Sequence, residues 1–175
     1  MNDKLQLRNQ LKIKRAAFTG IERKEADEAI LNYFLKQFSD FESFFIYNSF
    51  SSEADTKNII SALLKAEKRV YLPKVMGENM LAVPCGKTRL GAFGIEEPVG
   101  QPFEGDMDIT VIPLLAVNSR LFRIGYGKGY YDKYLKDKRT LKVGLGYNFQ
   151  IAEFKEDGWD IPLDAFVCEK GVFKK

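Results

Sequence analysis

Residues 41–64 read FESFFIYNSFSSEADTKNIISALL, and this stretch decides the fold. Phe41 to Tyr47 is short, apolar and aromatic, which suits a buried strand. Ser52 and Asp55 then fit the opening of a helix whose Ile59, Ile60, Leu63 and Leu64 keep the 3.6-residue period. Strand, loop and helix in that order form the repeating unit of an α/β layer fold.

The flanks agree with that reading. Upstream, residues 2–18 carry Leu7, Leu11 and Phe18 as an apolar stripe at helical spacing, with Lys4, Arg8, Lys12 and Arg15 on the other faces. Thr19 followed by Glu22 has the form of a capping box and predicts a second helix to about Phe38, on which Ala26, Ala29, Ile30, Tyr33 and Phe34 recur. Downstream, Val70 to Leu72, Met80 to Val83, Ile109 to Ile112, Leu141 to Leu145 and Ala165 to Cys168 are strand candidates, with a helix from about Lys128 to Lys136 between two of them. The expectation is a single α/β domain over residues 1–175, with a mainly parallel central sheet flanked by helices in Rossmann-like layers. Ligands in such folds bind beyond the carboxyl ends of the strands.

Composition narrows the chemistry. The 27 Lys and Arg against 24 Asp and Glu give a net charge of only +3, so any basic site is local and the fold as a whole is no glove for nucleic acid. Two cysteines, Cys85 and Cys168, are too few for a disulfide framework, and no signal-type or membrane-length apolar run is present. These features point to a cytoplasmic, monomeric protein with reduced thiols that meets small molecules, with neither nucleic acid nor membrane as partner. The chain contains no histidine, which removes Ser-His hydrolases, zinc hydrolases and imidazole phosphotransfer. Carboxylates, lysines, arginines and a hard cation such as Mg²⁺ remain, and phosphoryl transfer fits that set because it is mostly positioning and charge neutralisation.

The chemistry concentrates in residues 120–132, RLFRIGYGKGYYD. Gly125, Gly127 and Gly129 let the backbone approach a ligand, Arg120, Arg123 and Lys128 supply positive charge, and Asp132 is a carboxylate able to hold a metal on phosphate oxygens. The spacing is G-x-G-x-G, so it matches neither the dinucleotide fingerprint nor the P-loop. Three readings stay open on spacing alone: an anion cradle, a tight turn before an amphipathic helix, and a basic aromatic surface on which single-stranded bases stack.

The run R-I-G-Y-G-K-G-Y-Y-D resembles the signature of the 5-formyltetrahydrofolate cyclo-ligase family. Further blocks follow in that family's order: Lys4 and Arg8 on the first helix, residues 49–56 with Glu53, Leu72-Pro73-Lys74, Gly94 to Pro98, Ile112 to Val117, and Asp160 to Asp164. The resemblance implies an ATP- and Mg²⁺-dependent closure of 5-formyltetrahydrofolate to 5,10-methenyltetrahydrofolate, with release of ADP and phosphate. It implies ATP contacts from Lys4, Arg8, Arg123, Ile124, Gly125, Tyr126, Gly127, Lys128, Gly129, Tyr130 and Tyr131, of which Arg123, Lys128 and Tyr131 act on the reacting groups. It also implies folate contacts from Asn48, Glu53, Phe93, Tyr130 and Tyr131, and metal carboxylates at Asp132 and Asp160. Asn118 and Phe122 depart from the pattern, standing where an aspartate-like residue and a glycine are expected ahead of the arginine. A paralogue that binds nucleotide or folate without closing the ring is the alternative within the family.

Overall fold

The computed structural model describes residues 3–91 and 94–175. In chain order the elements are α1 (Asp3–Ala17), α2 (Gly20–Phe38), β1 (Ser43–Ile46), α3 (Lys57–Lys65), β2 (Arg69–Met76), β3 (Asn79–Pro84), β4 (Thr88–Leu90), β5 (Glu96–Pro98), β6 (Ile109–Pro113), β7 (Ala116–Val117), β8 (Arg123–Ile124), α4 (Tyr130–Leu135), β9 (Leu141–Leu145), β10 (Ala165–Cys168) and β11 (Gly171–Lys174). Seven strands form one sheet in the order β11-β10-β9-β6-β1-β2-β3. The inner strands run parallel, and only the edge strands β3 and β11 are antiparallel to their neighbours. β4 with β5 and β7 with β8 make two small antiparallel ladders outside the sheet.

The strand pleat sorts the core into two layers. Phe44 and Ile46, Ile109 and Val111, Val143 and Leu145, and Ala165 and Val167 face α2 and α3, where Ile30, Phe34, Ile59 and Leu63 meet them. The alternate residues point the other way, Phe45 with Tyr71 and Met80 beside α4, and Ile112 with Phe166 and Cys168 beside Leu135 and Leu163. Burying an aromatic or branched aliphatic side chain of this kind stabilises the fold by about 1.5–3 kcal/mol. Gly144 belongs to the second layer, and a Cβ there would lie 2.6 Å from Leu163 Cδ1 and 2.7 Å from Leu114 Cδ2. Only glycine lets those two leucines close over the sheet.

The α/β architecture and the mainly parallel sheet are as the sequence predicts; several boundaries are not. Thr19 stands at the start of α2 without a side-chain capping bond, so the capping box expected with Glu22 is not formed. α3 begins at Lys57, later than Ser52, because residues 48–56 fold into a loop of their own. There Asp55 accepts the backbone N–H groups of Lys57 and Asn58, while Thr56 turns its hydroxyl inward to Tyr47 O at 2.6 Å. α4 is shorter than the predicted 128–136, since Gly129 before it takes a left-handed backbone with φ 71°. The short strands β4, β5, β7, β8 and the edge strand β11 were not expected.

Candidate functional site

β1 leads through α3 to β2 on one side, whereas β6, on its other side, continues to β9 and β10. The direction of strand order therefore reverses between β1 and β6, and the crevice at their carboxyl ends is where an open α/β sheet binds ligands. Two loops enter that crevice, residues 48–56 after β1 and residues 114–129 after β6.

The first loop is built to present Glu53. Ser49 and Thr56 tie its ends together by reciprocal bonds, Ser49 N to Thr56 Oγ1 at 2.8 Å and Thr56 N to Ser49 Oγ at 3.2 Å. Between them Ser51 takes a left-handed backbone, φ 55°. The turn brings Glu53 Oε2 to the N–H of Phe50 at 2.9 Å and leaves Oε1 to the phenol of Tyr126 at 2.8 Å. Burial raises the Glu53 pKa, against the lowering effects of those two bonds and of Arg15.

The second loop starts with a turn that Asn118 holds. Its Oδ1 accepts the N–H groups of Arg120 and Phe122, and its Nδ2 donates to Phe154 O at 3.2 Å. Leu121 takes the left-handed backbone at φ 63°, with its side chain buried in the Ile112, Leu114 and Leu163 cluster. The residue whose backbone asks for glycine is therefore Leu121, one place before Phe122. β7 and β8 then pair, which fixes Arg123 and buries Ile124 with Leu11 and Ala116, so that Ile124 offers a ligand only its backbone. Gly127 and Gly129 follow with φ 90° and 71°.

Arg123 is 8% exposed and meets Asp132 Oδ1 through both terminal nitrogens at 3.0 Å, while Nη1 also reaches Ile161 O at 3.5 Å. Its Nε is buried with no hydrogen-bond partner, the only side-chain polar atom so placed among the described residues. An N–H in that position asks for an acceptor. Lys4, from α1, bridges Asp157 and Asp160 at 2.7 and 2.8 Å. Burial alone lowers the ammonium's pKa, but the two carboxylates outweigh it and leave it above its ordinary value. Arg8 Nε donates to Gly125 O at 3.0 Å and so holds the glycine loop against α1.

The expected site residues fall into two groups that the structure brings to one crevice. Lys4, Arg8, Arg123, the glycines, Asp132 and Asp160 are linked by the contacts above. Glu53 and Tyr126 are joined to each other, and Asn48 lies half-buried just past the end of β1. Tyr131 packs between the two clusters beneath the crevice, 6.4 Å ring to ring from Phe45, and burial followed by the charge of Glu53 pushes its phenol far above the ordinary value. It is a neutral O–H at physiological pH, suited to donate. Tyr130 Oη reaches Gly77 O at 3.3 Å, and Lys128 is exposed on the loop. Phe93 lies outside the described residues.

Asp132 and Asp160 supply hard carboxylate oxygens on either side of Arg123, since Arg123 Nη1 touches both Asp132 and the residue after Asp160. Among the described residues no three His, Cys, Asp or Glu side chains converge on one point. That donor set suits Mg²⁺, which takes one or two carboxylates and fills its remaining positions with water and phosphate. Each carboxylate is at present ion-paired, Asp132 with Arg123 and Asp160 with Lys4.

Two site residues were missed in the sequence. Asp157 shares Lys4 with Asp160, and its own N–H donates to Asp160 Oδ2 at 2.8 Å. Arg15 is 5% exposed and spans the crevice, donating from Nε to Ser52 Oγ at 3.1 Å, from Nη1 to Leu114 O at 3.1 Å and from Nη2 to Tyr126 Oη. A signal for it existed: at about 100° per residue Lys4, Arg8, Leu11 and Arg15 all fall within about 60° of helix circumference. Assigning the cations to one face and the leucines to another concealed that.

The model of the 5-formyltetrahydrofolate cyclo-ligase family matches residues 1–169. A 5-formyltetrahydrofolate cyclo-ligase of Mycoplasma genitalium is 33% identical over 175 residues, covering 96% of this chain and 99% of the relative. The solution structure of 5,10-methenyltetrahydrofolate synthetase from Aquifex aeolicus superimposes with a TM-score of 0.89 at 34% identity, over 98% of this chain and 92% of that one. The corresponding synthetase from Mycoplasma pneumoniae does so with a TM-score of 0.78 at 25% identity, over 95% and 99%.

Proposed function

This chain belongs to the 5-formyltetrahydrofolate cyclo-ligase family, and from that premise we propose that it closes 5-formyltetrahydrofolate to 5,10-methenyltetrahydrofolate at the expense of ATP. The observation that carries the reading is the buried Arg123 Nε without an acceptor, in β8 directly before the glycine loop whose Tyr126 meets Glu53. One side of the crevice is arranged for phosphate, the other for a flat ligand with N–H donors.

A formamide carbonyl is a poor electrophile and its oxygen a poor leaving group, so N10 of the folate cannot displace it directly. Transfer of the γ-phosphoryl group to the formyl oxygen breaks the bond to the ADP oxygen and leaves an iminium phosphate. N10 then attacks the formyl carbon and loses its proton, and phosphate departs with the C–O bond. The protein's part is to hold two anionic ligands in line and neutralise charge as it moves. Lys4, Arg8, Arg123 and Lys128, with the backbone of residues 124–129, hold the triphosphate, and Arg123 Nε donates to a phosphate oxygen. Asp132 and Asp160 would hold Mg²⁺, which would supply neutralisation of phosphate charge. Glu53 accepts from the donor edge of the pterin, Asn48 and Phe93 line its pocket, and Tyr130 and Tyr131 close the space between the ligands. The Tyr131 phenol, kept protonated by burial, donates toward the formyl oxygen as the C–O bond breaks and negative charge gathers on the departing phosphate.

The test is direct. The purified chain with 5-formyltetrahydrofolate, ATP and Mg²⁺ is expected to generate the absorbance of methenyltetrahydrofolate together with stoichiometric ADP and phosphate. No product at saturating ligands refutes the reading.

A further inference from the structure

We propose that Arg15 is a positioning residue for Glu53, acting through the phenol of Tyr126. A phenol oxygen carries one proton and accepts on its lone pairs, and a guanidinium only donates. With Arg15 Nη2 donating to Tyr126 Oη, the single phenolic proton is committed to Glu53 Oε1 at 2.8 Å. The Phe50 N–H fixes the other oxygen of the carboxylate. Arg15 in turn cannot move, because its remaining nitrogens hold Ser52 of the loop after β1 and Leu114 at the end of β6. One buried cation thus sets the orientation of Glu53 from across the crevice, without touching the position where a substrate donor would arrive.

The arrangement also bears on the charge of Glu53. Burial raises its pKa, and the groups that oppose this are the Phe50 N–H, the Tyr126 O–H and the Arg15 charge. The other groups facing it are the phenols of Tyr47, the residue after β1, and Tyr131 from α4, both held protonated by burial, and Arg23 from α2, whose guanidinium donates to the backbone carbonyl of Glu53 at 2.9 Å. Loss of the Tyr126 O–H therefore moves the midpoint of Glu53 further upward, and the carboxylate needed for an N–H donor is lost at a higher pH. The inference rests on the folate reading only for what Glu53 binds.

The experiment is calorimetric binding of 5-formyltetrahydrofolate without nucleotide, across a pH series, to the wild type, Tyr126→Phe, Arg15→Gln, Arg15→Lys and the Tyr126→Phe/Arg15→Gln double variant. Without the Tyr126 O–H the Glu53 carboxylate is no longer held in place, so Tyr126→Phe is expected to bind several-fold more weakly at neutral pH. The acid-side midpoint rises in the same variant, because the Tyr126 O–H is one of the groups that hold the Glu53 pKa down. Arg15→Gln shows a similar loss, Arg15→Lys recovers part of it, and the double variant is no weaker than the worse single one. Additive losses, or an unchanged midpoint in Tyr126→Phe, overturn the proposal, because a purely structural arginine gives that result. If Arg15→Gln does not fold, Tyr126→Phe and Arg15→Lys still decide the matter. If the wild type binds no folate, it is the proposed function that fails. The positioning claim is then read from the carboxyl ¹³C resonance of Glu53 in the free protein, whose midpoint must rise in Tyr126→Phe and overturns the claim if it does not.

Discussion

Leu121 holds a left-handed backbone, φ 63°, while its side chain is 6% exposed in the cluster of Ile112, Leu114 and Leu163. Two effects of opposite sign therefore meet at one residue. Truncation to Ala removes the buried side chain but keeps the backbone strain, and deletions of this size in a core cost about 2–5 kcal/mol. Truncation to Gly removes those atoms and Cβ as well, and with Cβ the strain, which for a non-glycine residue in this region is about 1–2 kcal/mol. In an ordinary element Gly is less stable than Ala by about 0.5–1 kcal/mol. Here the order should reverse, with Leu121→Gly more stable than Leu121→Ala by roughly 1 kcal/mol, and both below the wild type. In a chain of this length that is a separation of about 2–4 °C in Tm. Urea melts of the three proteins, with equal m-values as a check on the denatured state, supply the comparison. A glycine variant less stable than the alanine variant would refute the claim that the backbone at Leu121 is strained, and with it the account of how the turn ahead of Arg123 is held.

Two further outcomes follow from the ion pairs. Arg123→Lys keeps a cation near Asp132 but removes the buried Nε, so folding stability should stay within about 1 kcal/mol of wild type while affinity for ATP falls roughly tenfold or more; equal losses of stability and affinity in denaturation and calorimetry would contradict it. Lys4→Met leaves Asp157 and Asp160 facing each other without their shared cation, so Mg²⁺ should raise the Tm of this variant more than that of the wild type. Identical shifts in thermal melts would remove Asp160 from the proposed metal site.

The parts of the fold legible in the sequence were those that periodicity writes down. Phe44, Phe45 and Ile46 alternate between layers, and Ile59, Ile60 and Leu63 turn one helical face to the sheet, so strand and helix were recoverable from apolar spacing. The capping box at Thr19 failed because the spacing of Thr19 and Glu22 permits a side-chain bond without requiring one. β7 and β8 are two residues long, too short for any period, and are joined by a turn that Asn118 closes through its Oδ1 while its Nδ2 anchors the turn to Phe154 O. The departure at Asn118 is explained by its third partner: the Nδ2 bond to Phe154 O needs an amide donor, which an ionised aspartate lacks. In the site, Glu53 and Arg123 could be singled out by residue type and motif. Arg15 was legible only as a member of the helix face that carries Lys4, Arg8 and Leu11; its role was not, because Leu114, Ser52 and Tyr126, which it joins, are distant in sequence.

Charges that line the crevice are paired within the chain, so that a site for two anions, under the proposed function, coexists with a stable fold. A cluster of desolvated cations with no counter-charge would repel, yet Lys4 lies on Asp157 and Asp160, and Arg123 on Asp132. Under the proposed function the arrival of a triphosphate with Mg²⁺ exchanges partners: the cations turn to phosphate oxygens and the freed carboxylates to the metal. Lys4, Arg123, Asp132 and Asp160 each gain a replacement partner in that exchange, so little binding free energy is consumed in breaking the pairs among them. The one group with nothing to exchange is Arg123 Nε, which starts without an acceptor. A ligand oxygen at that point removes a desolvation penalty of about 1–3 kcal/mol that the folded protein already carries. Under the proposed function that penalty is the part of the phosphate affinity that Arg123 supplies without breaking an existing pair.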